Sequence, residues 1–238
     1  NEANMLEYLR TDPNTSVILG YIENVEHGAD FIEQAAKVTQ EKPVIMIKSG
    51  TTAAGAKAAS SHTGAIAGSD QAYSAAFRKT GVIRAPDTAP LFDLAQAFST
   101  QPLPAGPGLC IVTNSGGPGM PAADATEKSS LNMARLSNST IDRMKEFLPP
   151  YASLHNPVDV IGDAPAERYR KTLEVVIEDP QVHSILVLLT PTASAEIIET
   201  AQAIIDVSKL TKKPIFVNYM GGMRTRPGQK MLTEAGIP

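Results

Sequence analysis

The chain has no tryptophan, a single cysteine and only 5% aromatic residues. A stacking platform for single-stranded nucleic acid is therefore missing, and a disulfide framework is excluded by count alone. An excess of either charge is lacking too, with 21 Lys and Arg against 25 Asp and Glu and a formal net charge of −4. Without a basic stripe, nucleic acid is not expected as a partner. No apolar run reaches membrane-spanning length, and the first residues lack the charged-then-apolar layout of a signal peptide. These absences imply a cytoplasmic protein in a reducing setting with no membrane association. His27, His155 and His183 show no mutual spacing of the kind that metal sites use, so no metal site is expected.

What is present is ample apolar material for a core, 42% of 238 residues. Strand-length apolar runs (16–21, 43–47, 82–84, 108–113, 184–189 and 214–218) alternate with helical periodicity over 27–40, 69–80, 88–99, 117–129, 138–147, 165–178 and 194–211. Runs such as Ile185-Leu-Val-Leu-Leu189 are apolar throughout, as strands covered on both faces are. The pattern predicts an α/β fold with parallel sheets. Cys110, inside Leu109-Cys-Ile-Val112, reads as a buried strand position. Three prolines within 99–107 mark a boundary, since each removes a backbone donor and restricts its predecessor. Each half repeats a strand, a glycine-rich turn and a helix, so the expectation is two flavodoxin-like domains, residues 1–102 and 106–238.

Two glycine-rich turns carry the candidate chemistry. Residues 50–69 set His62 within Gly, Ala, Ser and Thr and lead into a helix that opens at Ser69 and closes at Gly81. Small side chains leave backbone N–H groups approachable by an anion, and a helix N-terminus adds its positive dipole end. A neutral imidazole placed there is a competent nucleophile for a phosphoryl group. Thr113-Asn-Ser-Gly-Gly-Pro-Gly-Met120 follows a strand in the same way and puts Ser115, Gly116 and Gly117 at the carboxyl edge, where open α/β sheets bind ligands. Its glycine spacing is not the dinucleotide fingerprint. A nucleophilic histidine needs its second nitrogen fixed by an acceptor, and Glu23, after the first strand, is the candidate, with Glu26 a second. Asn156-Pro-Val-Asp159 reads locally as a turn, and Arg224 and Arg226 as a solvated face or a contact for phosphate or a partner subunit.

The segment Gly55-Ala-Lys-Ala-Ala-Ser-Ser-His-Thr-Gly-Ala-Ile-Ala-Gly-Ser-Asp70 resembles the phosphohistidine loop of the nucleoside-diphosphate-forming acyl-CoA synthetases, the ADP-forming acetate–CoA ligase family related to succinyl-CoA synthetase. Asp12-Pro13, Tyr21-Ile-Glu23, Lys42-Pro43, Lys48-Ser-Gly50, Thr113-Asn-Ser-Gly-Gly117 and Asn156-Pro-Val-Asp159 resemble further motifs of that family in the same order. The resemblance implies that His62 is the phosphoryl carrier and Glu23 its orienting carboxylate. Ser61, Thr63 and Gly64 would line the phosphate with Ser115, Gly116 and Gly117, and Asn156 and Asp159 would lie near the ligand edge of the second domain. It implies the reaction acyl-CoA + ADP + phosphate ⇌ carboxylic acid + CoA + ATP, through an acyl phosphate and a phosphohistidine carried to ADP by a mobile segment. The family's CoA-binding and ATP-grasp domains are not found in these 238 residues, so CoA, ADP or ATP, and magnesium are expected to be handled by those domains or another subunit in an oligomer. This chain is then expected to be inactive alone. The alternative is a regulatory sensor module of the kind fused to lysine acetyltransferases, and the presence of His62 favours the enzyme.

Overall fold

The computed structural model describes residues 1–55, 57 and 69–238. The chain forms two compact units, Asn1–Ser99 and Thr100–Pro238.

In the first unit, helix α1 (Glu2–Thr11) precedes strand β1 (Ile18–Ile22), α2 (Gly28–Val38), β2 (Val44–Lys48), α3 (Asp70–Thr80), the short β3 (Ile83–Arg84) and α4 (Thr88–Thr100). The strands are parallel in the order β1-β2-β3, so β2 is central. Every residue of β2 is buried, and its side chains alternate between two cores. Val44 and Met46 pack with Leu6, Phe31, Ala35, Val38 and Phe77 from α1, α2 and α3, while Ile45 and Ile47 pack with Leu91 of α4 on the other face. Burial on both faces is why this strand reads as one apolar run and not as an alternation. Helix α3 stops at Gly81, whose φ of 77° lies in the left-handed region and whose N–H closes on Phe77 O.

The second unit runs β4 (Gly108–Thr113), α5 (Gly116–Glu127), β5 (Asn132–Met133), α6 (Asn138–Lys145), β6 (Val158–Asp159), α7 (Ala166–Glu178), β7 (Ser184–Leu189), α8 (Ile197–Ser208), β8 (Ile215–Tyr219), a 3-10 turn at Gly222–Arg224 and α9 (Arg226–Glu234). All pairings between these strands are parallel. β7 covers one side of β4, and the other side is shared by β5 at its start and β6 at its end. Cys110 and Val112 face the large core beneath α6–α9, and Leu109 and Ile111 face Ala122 and Ala123 of α5. Gly108 is required by contact, since a Cβ there would stand 2.1 Å from Gln181 O.

The α/β class with parallel sheets is the expected one. Helix α9 lies outside the expected helical ranges; its Pro227 falls in the first turn, where a missing N–H has no partner to lose.

Candidate functional site

Each sheet presents its carboxyl end as a cluster of polar side chains. In the first unit, β1 and β2 end together: Ile22 pairs in register with Lys48, and Ser49 N donates to Ile22 O at 3.0 Å. Glu23 follows β1 immediately, and its Oε2 is buried with no hydrogen-bond partner among the described residues. Lys48 closes β2 with only 4% of its surface exposed. Its ammonium donates to Ser49 O and lies 4.7 Å from the centroid of the Tyr73 ring, a cation–π distance. Tyr73, on α3, is fixed in turn: its hydroxyl accepts from Val25 N at 2.9 Å and donates to Asn24 Oδ1 at 3.2 Å.

Arg84 of β3 grips Asp70 in the first turn of α3 through both terminal nitrogens, at 2.5 and 3.3 Å, and donates to Ser74 Oγ at 2.5 Å. That bond, with the guanidinium charge, holds Asp70 below the ordinary aspartate range. Burial pushes the Lys48 ammonium below the usual lysine range; Asp70 counters that, Arg84 adds to it, and Glu23 counters it again. Among the described residues Lys48 has no carboxylate within ion-pair distance. The edge therefore holds an unpaired buried cation and an unpartnered carboxylate oxygen on neighbouring strand ends. Ser61, His62, Thr63 and Gly64 lie outside the described residues. Ser69 stands at the N-cap position of α3 with extended backbone, but its side chain makes no cap bond.

In the second unit, Ser115 is the N-cap residue of α5, again without a side-chain cap bond. Thr113 takes over the local bonding, donating from Oγ1 to Ser115 O at 2.8 Å and accepting from Ser115 N at 3.1 Å. Gly116 and Gly117 are exposed, and the nearest atom to a Cβ added at Gly116 is Asp159 Oδ2, at 3.6 Å. Asp159 Oδ1 accepts from Ile161 N at 2.8 Å, so this carboxylate sits in a turn beside the helix terminus. Asn114 clasps the end of β7 reciprocally, with Nδ2 on Thr190 O and Oδ1 taking Thr190 N, both at 2.8 Å.

Asn156 and Arg224 both bond to backbone groups in the fold. Asn156 Oδ1 accepts from Ile111 N at 2.9 Å while Nδ2 donates to Leu109 O at 2.7 Å and Ala134 O at 3.1 Å. Its amide thus fills the gap beside β4 between β5 and β6, a structural duty. Arg224 donates to Pro191 O at 3.0 Å and Thr192 O at 2.7 Å, clamping the loop after β7 and not a phosphate. Lys48, named in the sequence only as part of Lys48-Ser-Gly50, is buried at the end of β2.

A family model described as succinyl-CoA ligase like flavodoxin domain matches residues 1–98, and one described as ligase-CoA domain matches residues 109–238. The chain belongs to the ADP-forming acyl-CoA synthetase family. It is 43% identical over its whole length to an ADP-forming acetate–CoA ligase I of Archaeoglobus fulgidus, covering 34% of that protein. It is 40% identical to the alpha subunit of ADP-forming acetate–CoA ligase I of Pyrococcus furiosus, again over its full length and covering 52% of the relative. Among solved structures, a dinucleotide-forming acetyl-coenzyme A synthetase 1 of Candidatus Korarchaeum cryptofilum, in complex with phosphate and ADP, superposes with a TM-score of 0.94 at 35% identity, covering all of this chain and 52% of that one. The chain thus spans between a third and about half of these family members. No helix among the described residues is long and apolar enough to cross a membrane.

Proposed function

We propose that this chain is the phosphoryl-relay portion of an ADP-forming acyl-CoA synthetase, with His62 as the carrier and Glu23 as its orienting group. The observation that carries the reading is the buried Oε2 of Glu23 at the carboxyl end of β1, unpartnered among the described residues, in a chain whose relatives are named ADP-forming ligases. A buried carboxylate oxygen left without a donor is costly, by about 1–3 kcal/mol or more for a charged group, so its persistence favours a donor that arrives. An imidazole N–H is such a donor, and accepting from it fixes the tautomer whose other nitrogen attacks.

In the proposed sequence phosphate displaces CoA from the acyl thioester, giving an acyl phosphate and free CoA. The His62 ring nitrogen then takes the phosphoryl group and releases the carboxylate, and ADP removes it to give ATP and free histidine. Ser61, Thr63 and Gly64 would donate to the phosphoryl oxygens. The exposed first turn of α5, with Ser115, Gly116 and Gly117, likewise suits a phosphate anion, since a helix N-terminus contributes about 0.3–1 kcal/mol to an exposed charge and up to about 2 when partly buried. CoA, the acid and the nucleotide are assigned to a CoA-binding domain and an ATP-grasp domain or subunit of the cytoplasmic holoenzyme. The described residues do not fit a magnesium site, because no three His, Cys, Asp or Glu side chains converge, and no step here runs through that metal.

The test is covalent labelling of the holoenzyme with acetyl phosphate or with ATP labelled in its terminal phosphate. Acid-labile, base-stable label is expected on His62 in the wild type and none in His62→Ala. Label that survives in His62→Ala overturns the assignment.

A further inference from the structure

The first turn of α3 is tied to two other elements. Arg84 of β3 holds Asp70 and Ser74 on one side. On the other, Tyr73 reaches 48 and 49 positions back along the chain to the loop after β1, accepting from Val25 N at 2.9 Å and donating to Asn24 Oδ1 at 3.2 Å. The hydroxyl thus grips a donor and an acceptor at once, which spends its proton and one lone pair. The ring that carries it is held as well. It meets the Phe77 ring nearly edge-on, with centroids 6.2 Å apart and planes 72° from parallel, and the Lys48 ammonium stands 4.7 Å from its centroid. Phe77 is buried in the core shared by α1, α2 and α3. Asn24 and Val25 directly follow Glu23, so a hydroxyl anchored on the core sets the course of the backbone that presents that carboxylate.

We propose that Tyr73 is a positioning residue of the phosphoryl relay, its hydroxyl fastening the loop that carries Glu23 to α3, the helix that follows His62 in the chain. The proposal rests on the phosphoryl-relay reading and deepens it by naming what keeps the orienting carboxylate in place. A carboxylate that orients an imidazole acts through distance and direction, and a displacement of about 1 Å near a reacting group can cost roughly a hundredfold in rate. No described residue donates to Glu23 Oε2, which leaves the backbone beneath it to set its direction. Tyr73→Phe keeps the ring contacts with Phe77 and Lys48 and removes only the two bonds to the loop, so its effect isolates the hydroxyl.

The test is the single-turnover rate of His62 labelling by acetyl phosphate in the holoenzyme, measured for the wild type, Tyr73→Phe, Glu23→Gln and the double variant. Tyr73→Phe is expected to lower the rate at saturating acetyl phosphate about tenfold and to leave the half-saturating concentration unchanged, because the hydroxyl acts on the orienting group and not on the substrate. Glu23→Gln is expected to slow labelling as well. Adding Tyr73→Phe to it is expected to cost less than about twofold more, since a carboxylate no longer there needs no placement. A merely structural role would multiply the two losses. Asn24→Ala, which removes the acceptor and leaves Tyr73 intact, is expected to show the same pattern with a smaller loss. It takes over the test should Tyr73→Phe fold poorly, as circular dichroism and thermal unfolding would reveal. An unchanged rate in a folded Tyr73→Phe, or in Asn24→Ala where it stands in, overturns the positioning role, and so do losses that multiply in the double variant. The relay fails differently: no label on wild-type His62, or label that survives in His62→Ala, removes the relay and the role of Tyr73 with it. Normal wild-type label with an undisturbed Tyr73→Phe removes the role of Tyr73 alone.

Discussion

Asn156 shows how a polar residue of a turn motif is used by the fold. Side chains of this kind favour turns because their amides imitate backbone groups, and here the imitation is complete: one amide accepts from Ile111 N and donates to two carbonyls beside β4. Ile111 is fully buried, so removing the acceptor leaves a buried N–H without a partner. Such a group costs about 1–3 kcal/mol, and two carbonyls also lose a donor. Asn156→Ala is accordingly expected to destabilise the protein by about 3 kcal/mol, with Asn156→Asp nearly as damaging because it cannot donate. Urea denaturation checks this; a change below about 1 kcal/mol would mean the gap between β5 and β6 is bridged some other way. At the same scale Lys48 teaches the converse. Nothing local in Val44-Ile-Met-Ile-Lys48 tells a buried lysine from a solvated one at a strand end, because the distinction lies in Tyr73 and Asp70, more than twenty residues away along the chain.

Elements were legible where their periodicity was long. β4 and β7 hold apolar runs of four and five residues, Leu109–Val112 and Ile185–Leu189, and their expected bounds match, while the expected helix over 165–178 is α7, whose apolar stripe of Tyr169, Leu173 and Val176 recurs at helical spacing. β5 and β6, two residues each, carry no period at all and were missed, since their existence is decided by β4 alone. Of the candidate site, Glu23 and the α5 turn were readable as strand-end positions, but the bonds that occupy Asn156 and Arg224 depend on loops far apart in sequence. Asp179 is a junction of that long-range kind: its carboxylate takes Ser137 N at the start of α6 (2.7 Å) and Gln181 N ahead of β7 (2.8 Å). Burial raises its proton affinity, but the Thr140 hydroxyl and the Ser137 and Gln181 amides outweigh that, so it lies below the ordinary aspartate value. A carboxylate lowered on folding stabilises the native state above its unfolded pKa of about 3.9, and that contribution fades as pH falls through the lower folded value. Asp179→Asn should therefore lower the melting temperature at neutral pH, and the gap from wild type should close as pH drops below about 4. A gap that stays constant down to the most acidic conditions would show that the charge of Asp179 contributes nothing.

For the whole molecule, the net charge of −4 opposes every ligand that the proposed reaction uses, since phosphate, ADP, CoA and the acid are all anions. At physiological ionic strength charges are screened beyond about 8 Å, so this diffuse excess matters less than donors fixed at the sheet edges. Lys48 in the first unit and the first turn of α5 in the second are such donors. A relay of this type divides the overall reaction into two halves that depend differently on His62. Breaking the thioester with phosphate needs no histidine, because the nucleophile is phosphate itself. Passing the phosphoryl group on to ADP needs the carrier. In the holoenzyme, His62→Ala is thus expected to go on releasing CoA from acyl-CoA in the presence of phosphate for at least one turnover, with acyl phosphate accumulating, while ATP formation falls by roughly a thousandfold or more, the scale seen when a covalent-catalysis group is removed. Rapid-quench measurement of CoA and ATP in the same reaction resolves the halves. If both fall together, the histidine acts before the thioester breaks; if ATP formation continues undiminished, the phosphoryl group travels without it, and Glu23 has no imidazole to orient.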